Sequence, residues 1–172
     1  MVEITLDNGV KGVGEGYLGV FAPEVFRSIV DLCRPYLDGT DAFDRKERVR
    51  DLCRICDYWS LQGAARHVIS AFEIALVDAH SKSLEKPAWQ LFTDSPDNSI
   101  RAYGSGGICD TKEHFAQEMD MLSELGIDLF KIRSVKTDIY RTAWVLNEAK
   151  ARGMQVGVDM CQNLANPPQA VN

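Results

Sequence analysis

Two short stretches, Asp128-Leu-Phe-Lys-Ile-Arg-Ser134 and Met154-Gln-Val-Gly-Val-Asp159, decide the fold of this chain. Each is typical of a buried strand, and each follows a predicted helix that ends in glycine. Because side chains alternate between the two faces of a strand, Lys131 and Arg133 share one face. If the two strands are parallel neighbours, both cations meet Asp159 at the carboxyl ends. Proteins of the α/β class hold their functional groups at that edge.

The two stretches belong to a run of alternating strands and helices. We predict strands at residues 100–104, 128–134 and 154–159, with helices between them that end near residues 125 and 152. Asp110 is placed to cap the first of these helices. A strand-to-strand spacing of about 25–30 residues is typical of βα units in a parallel sheet. The second part of the chain is therefore predicted to be α/β.

The first part of the chain has a different pattern. Residues 3–6 and 10–14 flank a turn signal and predict a hairpin, and helices are expected at 23–36, 44–58 and 64–83. Asp78 and Glu73 lie in or beside the apolar face of the longest helix, where hydrogen-bonded structural roles are favoured over catalysis. The polar stretch 93–98 is the clearest linker. We therefore predict an α+β domain at 1–98 and a second domain at 99–172.

Composition narrows the class of partner. The 172 residues carry a formal net charge of -6, which does not favour a nucleic-acid partner, and no apolar run approaches the ~20 residues of a membrane span.

Cys53 and Cys56 have the spacing of a metal or redox pair, but they lie inside a predicted helix without further ligands nearby, which favours simple packing. Met1 leads directly into a strand and not into a signal peptide. We expect reduced thiols and a cytoplasmic location.

Four stretches of the sequence are Gly12-Val-Gly-Glu15, Ala71-Phe-Glu-Ile-Ala-Leu-Val-Asp78 followed by Lys86-Pro87, Lys131-Ile-Arg133, and Val158-Asp159. In this order and spacing they resemble the enolase superfamily, in the mandelate racemase and muconate-lactonising enzyme group. The resemblance covers nearly the whole chain. It implies a partial α+β capping domain, lacking its first strand, followed by an incomplete (β/α)8 TIM-type barrel of three βα units. The three predicted strands cannot close a barrel, which takes eight. We therefore expect a chain truncated at both ends.

The resemblance also implies a reaction and its residues. Lys131 stands where the family has a lysine beside the substrate carboxylate, Arg133 where it has a lysine base, and Asp159 where it has the first of three Mg²⁺ ligands. The implied reaction removes the proton α to the carboxylate of a small-molecule acid. Magnesium and positive side chains stabilise the enediolate that forms.

Departures from the family pattern refine the prediction. Arg133 replaces a lysine, and guanidinium is a poor base but a good carboxylate ligand, which favours an acid-sugar dehydratase, a lyase, over a racemase or cycloisomerase. Cys161 stands where the family has an asparagine. The remaining metal ligands and bases belong to later strands, so we expect the chain to be inactive alone. Two further alternatives are a half-enzyme that needs a complementing chain and a non-catalytic binding or scaffold protein. A homo-oligomer is expected.

Overall fold

The computed structural model describes residues 1–60, 62–95, 99–106, 111–134 and 139–160. The chain forms two compact units, Met1–Pro96 and Asp97–Asn172, which we describe separately. The predicted helix cap Asp110 and the departure at Cys161 lie outside the described residues. Within the described part of the chain, no helix is both long enough and apolar enough to cross a membrane.

The first unit is a two-stranded antiparallel hairpin packed on helices. The hairpin turn places Gly9 at a φ of 83°, a conformation that glycine adopts without strain. The longest helix runs over the predicted range. Two elements were not predicted as separate pieces: a four-residue helix after the hairpin, and a 3₁₀ turn that ends the second helix. The elements are β1 (Val2–Thr5), β2 (Lys11–Gly14), α1 (Leu18–Phe21), α2 (Pro23–Cys33), a 3₁₀ turn (Arg34–Tyr36), α3 (Arg45–Ser60), α4 (Ala64–Ser83) and a 3₁₀ turn (Ala88–Leu91).

Strand β2 lies directly on the backbone of α4, because both surfaces consist of small residues. A Cβ atom added at Gly14 would stand 1.8 Å from the carbonyl oxygen of Ala71, and one added at Gly12 would stand 2.1 Å from that of Ala75. Both alanines are completely buried. The glycines of β2 and the alanines of α4 therefore allow a close approach that no larger residue would permit.

The acidic residues of α4 have structural partners. Asp78 Oδ2 accepts hydrogen bonds from the backbone N–H of Val13 at 2.9 Å and from Lys82 Nζ at 2.7 Å. Glu73 pairs with Arg45 at the start of α3. These contacts tie α4 to the hairpin and to α3, which confirms the prediction of hydrogen-bonded structural roles.

The cysteines of the CxxC pair lie on α3, as predicted. Cys56 is completely buried beside the equally buried Cys33 of α2, whereas Cys53 is partly exposed. Burial, with a smaller contribution from Cys56, raises the pKa of the Cys33 thiol to about 12. The Cys33 and Cys56 thiols are therefore protonated at neutral pH and pack as small apolar groups between α2 and α3.

The second unit is a three-stranded parallel sheet with helices in the connections. Its elements are β3 (Gly104–Ser105), α5 (Lys112–Glu124), β4 (Leu129–Arg133), α6 (Ile139–Ala151) and β5 (Gln155–Asp159), and the strand order is β3-β4-β5. Thr111 caps α5 by accepting a hydrogen bond from the N–H of His114 at 3.3 Å. Gly126 and Gly153 follow the two helices with φ of 73° and 69°. Glycine at this place is typical of a helix C-terminus.

The first strand of this sheet is shorter than predicted. We expected residues 100–104, but the ladder contains only Gly104, paired with Phe130, and Ser105, paired with Lys131. The residues before it lie at the surface, and Ile100 is 89% exposed. The side chain of Arg101 reaches Asp128 at 2.9 Å and Gln155 at 3.2 Å, at the start of the neighbouring strands. These side-chain contacts, and not ladder hydrogen bonds, are what the structure shows for Arg101 at this end of the sheet.

One face of the sheet is covered by the two helices. Its core consists of side chains from α5, β4 and α6 and the residue before β5, namely Phe115, Met119, Leu122, Phe130, Ile132, Val145, Ala149 and Met154. Because Phe130 and Ile132 point into this core, the residues that alternate with them must point to the opposite face. The functional side chains predicted from the sequence lie on that opposite face.

Candidate active site at the carboxyl ends of the parallel strands

The register of β4 and β5 brings the predicted residues together. Lys131 is paired with Gly157, and Arg133 is paired with Asp159. Residues in register in a parallel ladder point to the same face, so both cations and the carboxylate share it. Glycine at 157 leaves the space beside Lys131 open, since a Cβ there would meet no atom within 4 Å.

Lys131 and Asp159 form a direct ion pair. Lys131 Nζ lies 3.0 Å from Asp159 Oδ2, and the two side chains are 31% and 36% exposed. The hydrogen bond to this carboxylate, and then its charge, raise the pKa of Lys131. Lys131 is therefore a cation at neutral pH in this arrangement and is not suited to accepting a proton.

Arg133 adds a second positive charge at the end of β4. Its side chain is exposed, and its backbone carbonyl accepts a hydrogen bond from Arg141 Nη2 at 3.4 Å. The charge of Arg133 has a small lowering effect on the pKa of Lys131, which shows that the two cations act on the same region. A face with two cations beside one carboxylate can bind an anionic ligand such as a carboxylic acid.

Tyr103 is a residue of this face that the sequence reasoning missed. The centroid of its ring lies 5.8 Å from Lys131 Nζ, and the side chain is half exposed. A sequence signal existed, because Tyr103 and Ser105 lie on either side of Gly104 and alternation places them on one face at the end of the first strand. Such alternation is common in strands of any kind, and only the position of Lys131 Nζ beside the ring indicates that Tyr103 belongs to the site.

The residues offer one ligand for a hard divalent cation. Magnesium prefers near-octahedral oxygen coordination, and the Asp159 carboxylate at a strand end has the right chemistry for one position. Across residues 1–60, 62–95, 99–106, 111–134 and 139–160, no three His, Cys, Asp or Glu side chains cluster as a metal site. The described residues can therefore supply one ligand of a magnesium site, but they do not form a complete site.

Comparison with known proteins identifies the family. Residues 1–93, more than half of the chain, match the family described as the mandelate racemase/muconate lactonizing enzyme N-terminal domain. The chain belongs to this family. The fold agrees, because an N-terminal capping domain followed by part of a parallel α/β barrel is what members of the enolase superfamily contain, and the resemblance stated from the sequence is confirmed.

Relatives of this family match most of the chain. A D-galactonate dehydratase family member of Pseudarthrobacter chlorophenolicus is 27% identical over 152 residues, covering 88% of the chain and 37% of the relative. A D-xylonate dehydratase of Haloferax volcanii is 29% identical over 140 residues, covering 76% and 32%. The chain thus spans about a third of the length of these curated relatives.

A solved structure shows the same fold. The L-talarate dehydratase from Polaromonas sp. JS666, complexed with Mg and L-glucarate, superposes with a TM-score of 0.80 at 23% identity. The match covers 98% of this chain and 48% of that one. At this level of identity the likeness establishes the fold alone.

Proposed function

We propose that this chain carries part of the active site of an acid-sugar dehydratase, a lyase that removes the proton α to a carboxylate. The observation that carries the proposal is the shared face of Lys131, Arg133 and Asp159 at the carboxyl ends of β4 and β5. The matching curated relatives named as dehydratases support the substrate class. The substrate proposed here is a small hydroxylated carboxylic acid. The cytoplasmic location stays a prediction.

The chemistry explains why these side chains are needed. The α-proton of a carboxylate is very weakly acidic, because its removal places a second negative charge on the carboxylate oxygens. The ammonium group of Lys131 can bind one of these oxygens by a charge-assisted hydrogen bond. Arg133 can bind the carboxylate with two parallel N–H donors, a grip that lysine cannot reproduce.

Arg133 is proposed to bind and polarise the substrate, and not to serve as the base. A guanidinium group keeps its proton in proteins, so it is a poor base and a good ligand for a carboxylate. The base for proton removal is therefore assigned to the opposite side of a complete barrel. This assignment favours one-sided chemistry such as dehydration over the two-sided proton transfer of a racemase.

Asp159 is proposed as one ligand of a Mg²⁺ ion. When bound, a divalent cation in this position supplies electrostatic stabilisation of the negative charge on the substrate carboxylate. In the described structure Asp159 Oδ2 is paired with Lys131 Nζ, so a metal ion would bind the other carboxylate oxygen or take the place of Lys131. The remaining ligands are expected from residues beyond those described.

The test uses a polypeptide that carries these strands within a complete barrel. Deuterium exchange at the α-carbon should occur for one substrate epimer only, and Arg133→Lys should lower catalysis without adding exchange of the second epimer. Arg101→Met is the matched control, because Arg101 lies at the opposite end of the sheet, where it binds Asp128. If both epimers exchange and Arg133→Met abolishes exchange for one of them alone, Arg133 is a base and the assignment is wrong.

A further inference from the structure

The ammonium group of Lys131 is flanked on both sides. Asp159 approaches it from β5 at 3.0 Å, and the ring of Tyr103, which precedes β3, lies 5.8 Å away. Lys131 itself stands on β4, the central strand of the three. A lysine side chain has four rotatable bonds and loses considerable rotamer freedom when it is held in one place. Contacts from both neighbouring strands can supply this restraint.

The two contacts differ in what they do to the charge. The Asp159 carboxylate neutralises the ammonium group that it holds, which weakens its attraction for another anion. The face of an aromatic ring attracts a cation through its quadrupole and carries no net charge. A ring can therefore keep the Lys131 ammonium in place while leaving its positive charge available to a ligand.

We propose that Tyr103 is a positioning residue of the anion site: the face of its ring holds the Lys131 ammonium over β4 when Asp159 engages another partner. The inference rests on the proposed function, in which Lys131 binds the substrate carboxylate. Ser105 supports the placement, because it is in register with Lys131 and extends the same face from β3. Tyr103 is half exposed, so part of this residue is accessible to a bound ligand.

The competing explanation is that the Tyr103 ring merely covers the aliphatic stem of Lys131. Long cationic side chains often lie with their methylene groups along apolar surfaces. In that case the ring would have no particular relation to the ammonium end, and the position of the ammonium would depend on Asp159 alone. The two explanations differ in the effect of removing Asp159.

The experiment is lysine-selective NMR on the 172-residue chain, which needs no turnover. The ε-CH₂ protons of Lys131, assigned by their loss in Lys131→Arg, should be shifted upfield by the ring current. Tyr103→Phe and Asp159→Asn should keep this shift, and Tyr103→Leu should remove it. Tyr140→Leu is the matched control, because Tyr140 is a tyrosine of the same unit that is 91% exposed.

Addition of D-galactonate, used as the carboxylate probe, should shift the Lys131 resonances. Tyr103→Leu should weaken probe binding about two- to five-fold, the range expected for one cation–π contact, and Tyr103→Phe should change it less than two-fold. An unchanged upfield shift in Tyr103→Leu, or its loss in Asp159→Asn, would overturn the role of Tyr103. If the ring-current pattern holds but D-galactonate leaves Lys131 unshifted in the unmodified chain, the binding of a carboxylate by Lys131, on which the proposed function rests, is contradicted, and the contact with Tyr103 stands.

Discussion

Replacing Gly14 by alanine should destabilise the first unit by about 2–4 kcal/mol. The added Cβ would stand 1.8 Å from the carbonyl oxygen of Ala71, whereas ordinary contacts begin near 3.4 Å. Both atoms belong to or adjoin the backbone, so neither can rotate away, and β2 must move from α4 by about 1.6 Å. Overpacking of a well-packed core typically costs about 1–3 kcal/mol.

Two further effects enter the estimate. Movement of β2 stretches the 2.9 Å hydrogen bond between the Val13 N–H and Asp78 Oδ2. A hydrogen bond to a charged group contributes about 1.5–3 kcal/mol, part of which would be lost. In the other direction, alanine restricts the unfolded chain and stabilises the folded state by about 0.4–1 kcal/mol. The balance corresponds to a fall in Tm of about 8 °C or more for a unit of this size.

Hydrogen exchange at the Val13 amide, together with urea unfolding followed by tryptophan fluorescence, measures the effect. Gly19→Ala is the matched control, because a Cβ there would meet the ring of Phe26 at an ordinary 3.7 Å. The control should change the free energy of unfolding by less than about 0.5 kcal/mol or increase it, since alanine favours helix. If Gly14→Ala behaves like Gly19→Ala, the close approach of β2 to α4 is not as described.

Three other predictions concern charge and association. The hydrogen bond from Lys82, then that from Val13, lowers the pKa of Asp78, so this group stabilises the fold above its unfolded-state pKa and loses the contribution on acidification. Asp78→Asn should lower the free energy of unfolding by about 1–2 kcal/mol at pH 7. Between about pH 5 and 2, the stability of this variant should depend less on pH than that of the unmodified chain. The 172-residue chain should bind Mg²⁺ weakly, and tight stoichiometric binding in isothermal titration that Asp159→Asn abolishes would contradict this. The chain should also associate, because β5 is an edge strand among the described residues and its Val158 is 41% exposed; a sharp monomer peak in light-scattering chromatography would refute this.

Local sequence signals predicted the helices of the first unit well. The predicted range of α4 agrees with the observed Ala64–Ser83. Asp44 Oδ1 accepts from the N–H of Glu47 at 3.4 Å, consistent with the predicted start of α3. These features depend on residues that are close in sequence, namely helical periodicity and capping side chains. The same logic failed at residues 100–103, which lie outside the ladder and where Arg101 contacts Asp128 and Gln155, residues distant in sequence.

The face of the sheet was also predictable. Strand alternation separates Lys131 and Arg133 from Ile132, and two parallel strands bring Asp159 to the same edge. Neither the ion pair between Lys131 and Asp159 nor the contact with Tyr103 could be predicted, because alternation gives the face and not the distance between side chains. The roles of these residues in catalysis stay predictions.

The sequence by itself determined the order of elements, the change from a capping-type α+β pattern to βα units, and the side of the sheet that carries charge. Each of these follows from periodicity and alternation over a few residues. Only the tertiary structure decided that the glycines of β2 lie on the alanines of α4, and that Tyr103 and Asp159 flank one lysine. These contacts join residues tens of positions apart, and their geometry depends on how whole elements pack against each other, which no local pattern records.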